Sequence, residues 1–386
     1  MEAYFDNSAT TKPSKEVVET MLKALTIHYG NPSSLHRKGV EVEKLIKASR
    51  RQVAKALGVK DEEIIFTSGG TESNNAAILG TIAAQHRRGN KIITSSIEHP
   101  SVLNVFKYLE TKGYSVVYLD VDRKGKIDLH QLEQEVDENT ILLSIMHVNN
   151  EVGTIQPIEK IRQILNNSKN KIILHVDAVQ SFGKLKMNPS KLGIDLLSIS
   201  GHKIHGPKGI GALYIRKDLK FTPIIYGGGQ EIGIRPGTEN VPGILGLGIA
   251  SAAIEKEIDD GIQKMVQVKE RLKAGILSEI KDAIFNGCQG DESAPHILSI
   301  SFPGIRGEVL LHMLEQDEIY VSTGSACSSK KSSQSHVLKA MGLSEEEIEG
   351  AIRFSFSYQN TIEEVDYVLN QLKKHIYDLK KIMMKR

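Results

Sequence analysis

LLSISGHKIHGPKGIGALYIR, residues 196 to 216, reads as strand, turn and strand. The first apolar run ends in Ser200-Gly201-His202-Lys203, glycine and proline then reverse the chain, and a second apolar run follows. Most lysines are solvated surface charges. Lys203 differs in position, because it follows a strand that reads as buried, in a turn with two histidines and several glycines. In a partly desolvated crevice a lysine has a lowered pKa and can form a Schiff base. Ser200 and His202 could bind a phosphate beside it.

This stretch closes a longer alternation that starts near residue 64. IIFT precedes TESNNAAILGTIAAQ, KIITS precedes SVLNVFKYLE, YSVVYLDV precedes LHQLEQEV, and ILLSIMHV precedes IEKIRQIL. IILHV, LLSIS and GALYIR follow with shorter connections. Apolar strands alternating with helices predict an α/β fold with a mainly parallel sheet covered on both faces. Ligands bind such sheets at the C-terminal ends of the strands.

After about residue 240 the character changes. A long helical region runs from VPGILGLGIASAAIEKEI to ERLKAGILSEI. HILSISFPG then reads as a strand, GEVLLHMLEQ as a helix and AIRFSFS as a strand. A final helix starts at Thr361, with Glu364 placed for a capping box and Val365, Val368, Leu369, Leu372 and Ile376 as its apolar stripe. The expected division is a large domain over 15–250 and a smaller α+β domain from 1–14 and 251–386.

Composition removes several function classes. In 386 residues, hydrophobic residues make 40% and charged residues 25%, an ordinary soluble mixture. The net charge of +2 offers no global field for nucleic acid or an anionic membrane. A solvated helix face explains the basic run KKHIYDLKKIMMKR. Two cysteines, Cys288 and Cys327, exclude a disulfide framework and a cysteine-built zinc site, and no metal ligand set is visible. A reducing, cytoplasmic setting fits both thiols. MEAYFDNSATTK has no apolar h-region, and no apolar run approaches the length that spans a bilayer.

Two further stretches carry chemistry. IIFTSGGTESNN, residues 64 to 75, reads strand, glycine turn, helix; Gly69, Gly70 and Thr71 could cradle a phosphate at a helix start or simply make a helix entry. It lacks the lysine of a P-loop and the glycine spacing of a dinucleotide fold. IILHVDAVQS, residues 172 to 181, puts Asp177 at a strand end, either as a helix cap or as a carboxylate for a cationic partner. Gln180 could donate to the same ligand. Together, phosphate cradle, strand-end acid and strand-end lysine suggest pyridoxal phosphate, which needs all three.

At this point the chain resembles the cysteine desulfurases of the NifS and IscS type, within the class V aminotransferase group. The resemblance runs in order through YFDNSATTKP, GNPSSLHRKG, FTSGGTESNN, EHPSVL, SIMHVNNEVGTIQP, HVDAVQSFGK, SGHKIHGPKGIGALY, GGGQEIGIRPGT, STGSACSS and AIRFS. It implies fold type I of the pyridoxal-phosphate transferases, with a mainly parallel seven-stranded sheet. It also implies roles. Lys203 would hold the cofactor as a Schiff base, Asp177 would pair with the ring nitrogen, and Gln180 would bond the phenolic oxygen. His99 would stack on the ring; without the resemblance it reads as a surface histidine at a helix start. Gly70, Thr71, Ser200 and His202 would hold the phosphate, and Thr238 would reach the phosphate of the partner subunit, which implies a homodimer. Asn150 would touch cofactor and substrate, and Arg353 would bind the substrate carboxylate. Cys327 would take sulfur from L-cysteine as a persulfide, leaving L-alanine. It would then pass the sulfur to an acceptor protein for iron–sulfur cluster assembly or thiolation.

The segment around Cys327 suits that task. Serine, glycine and lysine dominate residues 322 to 335, a composition that favours a mobile loop, and its length resembles the longer-loop branch of the family. Lys330 and Lys331 would modestly favour the thiolate. One departure stands out: Arg235-Pro236-Gly237-Thr238 has proline where the family commonly has serine. A selenocysteine lyase, another class V aminotransferase and a non-catalytic scaffold are the competing readings. An aminotransferase would not need Cys327, and a scaffold could lose Lys203 and Asp177.

Overall fold

The computed structural model describes residues 1–323 and 334–383. The chain opens with strand β1 (Ala3–Tyr4) and helices α1 (Lys15–Thr26) and α2 (Arg37–Leu57). The alternation then follows: β2 (Ile64–Thr67), α3 (Gly70–Gln85), β3 (Lys91–Ser95), α4 (Pro100–Glu110), β4 (Ser115–Leu119), α5 (Leu129–Glu135), β5 (Thr140–Met146) and α6 (Ile158–Asn166). β6 (Ile173–Asp177), β7 (Leu196–Ser200) and β8 (Gly211–Ile215) complete one seven-stranded sheet in the order β2-β8-β7-β6-β5-β3-β4. Only β8 runs against its neighbours; β7, β6, β5, β3 and β4 pair in parallel. The mainly parallel α/β sheet expected from the pattern is present.

Both faces of this sheet are covered. Alternate residues of β5, Leu143 and Ile145, face the core that includes Val42, Val53 and Ile161 of α2 and α6, whereas Leu142 faces that of Ile78 and Phe106 of α3 and α4. A period of two thus assigns successive apolar residues to opposite faces, so the strands read as unbroken apolar runs.

Helix α7 (Val241–Glu279) then runs 39 residues without interruption. Its first turns, through Ile244 and Leu247, enter the core of the large sheet, and its last, through Leu272 and Ile276, enter a second core. That second core is built on a four-stranded sheet. The remaining elements are β9 (Ile284–Asn286), β10 (Ile297–Ser301), α8 (Gly307–Gln316), β11 (Ile319–Tyr320), β12 (Ser322–Thr323), α9 (His336–Ala340), α10 (Glu345–Glu349), β13 (Ala351–Ser355) and α11 (Ile362–Met383), of which α9 and α10 pack instead with Ile97, Met146 and Val152. The sheet order is β12-β13-β10-β9, while β1 pairs with β11 in a separate two-stranded ribbon. The capping box at the last helix is made: Thr361 N–H donates to Glu364 Oε2 at 2.9 Å and Glu364 N–H to Thr361 Oγ1 at 3.3 Å. The stripe from Val365 to Ile376 is buried. Among the described residues no helix is long and apolar enough to cross a membrane.

Candidate active site

At the C-terminal edge of the large sheet lies a cavity of about 360 Å³. Strand ends deliver two of its side chains, since β6 stops on Asp177 and β7 on Ser200. Helix starts deliver others: α3 begins at Gly70, and His99 is the N-cap of α4. β13 brings Arg353 from the second sheet. Gly70, Thr71, His99, Asn150, Asp177, Gln180, Ser200, His202, Lys203 and Arg353 all line this one cavity.

Asp177 is 6% exposed. Its Oδ1 accepts the Val179 N–H at 3.0 Å, and its Oδ2 accepts Asn74 Nδ2 at 2.7 Å. No helix follows β6, so the helix-cap alternative is not realised: one oxygen closes a turn instead, and the carboxylate lines the cavity. Asn74 Nδ2 also donates to Ser101 Oγ at 2.9 Å, which ties α3, α4 and β6 together at this acid.

Lys203 ends the short helical turn Gly201–Lys203. Its Nζ donates to the carbonyls of Ser8 and Ala9, the latter at 2.8 Å. The N-terminal segment lies across this turn, with Thr11 N–H donating to the His202 carbonyl at 2.8 Å. Gln180 Nε2 donates to the Ser8 carbonyl at 3.0 Å, and the Ser8 hydroxyl is buried without a partner among the described residues. Burial, with Lys203, Lys208 and Lys184 adding to it, holds His202 down to about 4.

His99 Nδ1 accepts the Ser101 N–H at 3.1 Å. Burial lowers its pKa, Asp177 opposes the shift, and Lys203 and His336 reinforce it. It is both the helix cap that the sequence suggests and a wall of the cavity. Arg353 is buried; Nη1 donates to the Asn150 carbonyl at 2.9 Å, Nη2 pairs with Asp6 at 2.9 Å, and Nε has no partner among the described residues.

The start of α3 suits an anion. Its cap, Gly69, makes no side-chain hydrogen bond and has φ +153°, ψ −176°, a backbone that favours glycine. First-turn N–H groups of a helix lack intrahelical acceptors, and the dipole favours negative charge there. A Cβ on Gly70 would come within 2.8 Å of Val179, so only glycine lets this turn pack on the Asp177 turn. The residues therefore fit a small cofactor with an anionic group, a protonated ring nitrogen and an electrophilic carbon: N–H donors, a buried acid and an amine share one cavity.

Cys327 is outside the described residues. Thr238 is exposed and does not line the cavity, although its loop is fixed nearby, because Arg235 pairs with Glu72 in the first turn of α3 at 2.9 Å. Pro236 packs where a Cβ on Gly227 would lie 2.9 Å away. Upstream in the same loop, Glu231 is buried and held by Arg50 through bonds of 2.6 and 2.7 Å. Asp6, Ser8, Ala9, Asn74 and Ser101 are the contributors that sequence reasoning misses. Asn74 had a signal, since it falls one helical turn after Gly70.

The class-V aminotransferase family matches residues 3–368. The cysteine desulfurase of Trichormus azollae is 47% identical over 366 residues, covering 95% of this chain and 90% of that protein. The cysteine desulfurase IscS of Methanosarcina thermophila is 46% identical over 377 residues, covering 98% and 92%. Among solved structures, a NifS-like protein superposes with a TM-score of 0.92 at 42% identity, covering 98% of this chain and all of the other. SspA in complex with cysteine gives a TM-score of 0.78 at 36% identity, covering 93% and 100%. The chain belongs to the class-V aminotransferase family, and across nearly its whole length it is similar to cysteine desulfurases of that family.

Proposed function

We propose that the protein is a cysteine desulfurase that converts L-cysteine to L-alanine with pyridoxal phosphate as cofactor. The observation that carries this is the meeting of Asp177, Lys203, Arg353 and the open start of α3 in one cavity. When bound, pyridoxal phosphate supplies an electron sink that weakens bonds at the substrate's carbons. Gly70, Thr71, Ser200 and His202 would hold its phosphate, and Thr238 of a second copy would complete the grip. Asp177, which accepts hydrogen bonds from Asn74 and the Val179 N–H, would hold the ring nitrogen; Gln180 and His99 would fix the ring's edge and face.

Lys203 would hold the cofactor covalently, release it to the incoming substrate, and then carry the proton at the substrate Cα. Arg353 would orient the substrate carboxylate, with Asn150 beside it. The Cys327 thiolate would attack the substrate sulfur. The S–S bond forms as the C–S bond breaks, the carbon keeps the electron pair and gains a proton, and Cys327 is left as a persulfide. No external oxidant is needed. An acceptor protein, an iron–sulfur scaffold or a thiolation protein, would then take the sulfur. The division near residue 250 into a cofactor-binding and a smaller domain, a homodimeric state and a cytoplasmic setting belong to the same proposal.

Changing Cys327→Ala should abolish sulfide and persulfide formation from L-cysteine and leave the cofactor's visible absorption band intact. If alanine and sulfide still form at the parent rate, the desulfurase reading fails. Relative rates on cysteine and selenocysteine separate it from a selenocysteine lyase.

A further inference from the structure

The acid at the end of β6 does not stand alone. Asn74 is 1% exposed, and its Nδ2 makes two bonds, to Asp177 Oδ2 at 2.7 Å and to Ser101 Oγ at 2.9 Å. Ser101 Oγ lies in turn 2.8 Å from His99 Nδ1. Asp177, Asn74, Ser101 and His99 thus form one row of hydrogen bonds from β6 through α3 to the first turn of α4, and all four line the cavity. The chemistry above uses Asp177 and His99, the two ends of the row, and gives Ser101 no role.

Each bond in the row has one direction. A carboxylate oxygen accepts, so Asn74 Nδ2 donates one hydrogen to Asp177 and its other to Ser101 Oγ. Ser101 keeps its own hydroxyl hydrogen to give, and His99 Nδ1 is the acceptor it meets. That nitrogen is bare, because it also accepts the Ser101 backbone N–H at 3.1 Å as the cap of α4. An imidazole can cap a helix only through a bare nitrogen, so the one proton of the neutral ring is on Nε2. Burial and the helix start both favour the neutral ring. The cap needs only the backbone N–H; the hydroxyl adds a second and shorter bond to the same nitrogen. Asn74 Oδ1 is buried with no partner among the described residues, so hydrogen bonding holds this side chain through its two N–H bonds alone.

We propose that Ser101 is a positioning residue for His99: its hydroxyl, turned by Asn74, links the imidazole to Asp177 and holds it with Nδ1 as acceptor and Nε2 as donor. The ring then keeps its place and its donor atom while substrate is exchanged beside it. This rests on the reading of His99 as a side chain that faces the cofactor.

The test reads the His99 ring nitrogens by long-range proton–nitrogen NMR of the full-length chain carrying isotope-labelled histidine, before cofactor is added. His99→Gln assigns the signals. The parent should show a bare, hydrogen-bonded Nδ1 and a protonated Nε2. In Ser101→Ala the Nδ1 signal should move toward that of an imidazole nitrogen with no hydrogen bond, and Ser101→Thr, which keeps the hydroxyl, should restore it. With cofactor bound, Ser101→Ala should lower kcat on L-cysteine about threefold to tenfold, the effect of one hydrogen bond, and change KM less than about twofold. A parent His99 protonated on Nδ1 overturns the proposal and needs no variant. An Nδ1 signal that stays in place in Ser101→Ala overturns it too, as does a kcat equal to the parent's. A variant that is merely less stable would lose active fraction without moving the signal of the folded molecules. Failure of the cofactor reading looks different: the parent with added pyridoxal phosphate would show no visible band, while the His99 signals would still report on Ser101.

Discussion

Arg353 is held before any substrate arrives. Asp6 and the Asn150 carbonyl engage its two terminal nitrogens and leave Nε buried, with no partner among the described residues. A planar, pre-oriented fork matches a carboxylate in a way that a lysine point charge does not. Losing one charge-assisted bond of roughly 1.5–3 kcal/mol predicts that Arg353→Lys raises KM for L-cysteine about tenfold to a hundredfold, with a smaller change in kcat. Steady-state kinetics check this, and an unchanged KM would remove Arg353 from the substrate site. At this scale the sequence was legible where a residue's neighbours in the chain define its setting. Asp177 ends an apolar strand and Lys203 follows one by three residues, so their place at a strand-end crevice follows from the pattern. Asn74, Asp6 and Ser8 act across 100 residues or more: Asn74 reaches Asp177 and Asp6 reaches Arg353. No local period encodes such contacts.

Among the elements, α7 depends on its small residues. A Cβ on Gly248 would lie 2.6 Å from the Ser49 Cβ and 2.8 Å from its Cα, so α2 and α7 touch through backbone there. Gly246 faces Pro207 just beyond the Lys203 turn, where a Cβ would come within 2.9 Å. The helix thus backs the loop that carries the lysine. Overpacking typically costs about 1–3 kcal/mol, so Gly248→Ala should lower the urea midpoint despite the better helix propensity of alanine. A midpoint equal to or above the parent's would mean that α2 can move aside freely. Long elements with a clear period, such as α7, α11 and the seven strands of the large sheet, were readable beforehand. The two-residue strands β1, β11 and β12 were not, because two residues cannot display a period. Their pairing is decided by packing between distant parts of the chain.

Across the molecule, buried ionisable groups set a stability profile with two flanks. Burial holds His147 at about 4, His175 at about 3 and His205 at about 4, against about 6.5 in the unfolded chain. Between these values the unfolded state binds protons that the folded state refuses, so stability is lost as pH falls below about 6.5. Glu98 and Glu151 act oppositely. Burial raises them to about 8 and about 7, so the folded state keeps protons that the unfolded state releases, and stability is lost as pH rises from about 4.5 toward those values. Glu98→Gln should therefore raise Tm more at pH 8 than at pH 5, as calorimetry can measure. Equal gains at both pH values would show that Glu98 ionises normally in the fold.

The segment from Ala3 to Thr11 has a consequence for how the protein is made. It lies over Lys203, yet Ser8 N–H is held by the Ser355 hydroxyl, 347 residues later in the chain. Asp6 likewise awaits Arg353. On a ribosome moving at about 5–20 residues per second, the gap between the two halves of this clasp is on the order of 20–70 s. From the end of β8 at Ile215 to that of β13 at Ser355 there are 140 residues, on the order of 7–30 s at that rate, and for that interval the segment is held at the Lys203 turn but not at its Ser355 end. The nascent chain thus passes through a stage in which the cover over Lys203 is only half fastened, and the arrival of β13 supplies the second hold.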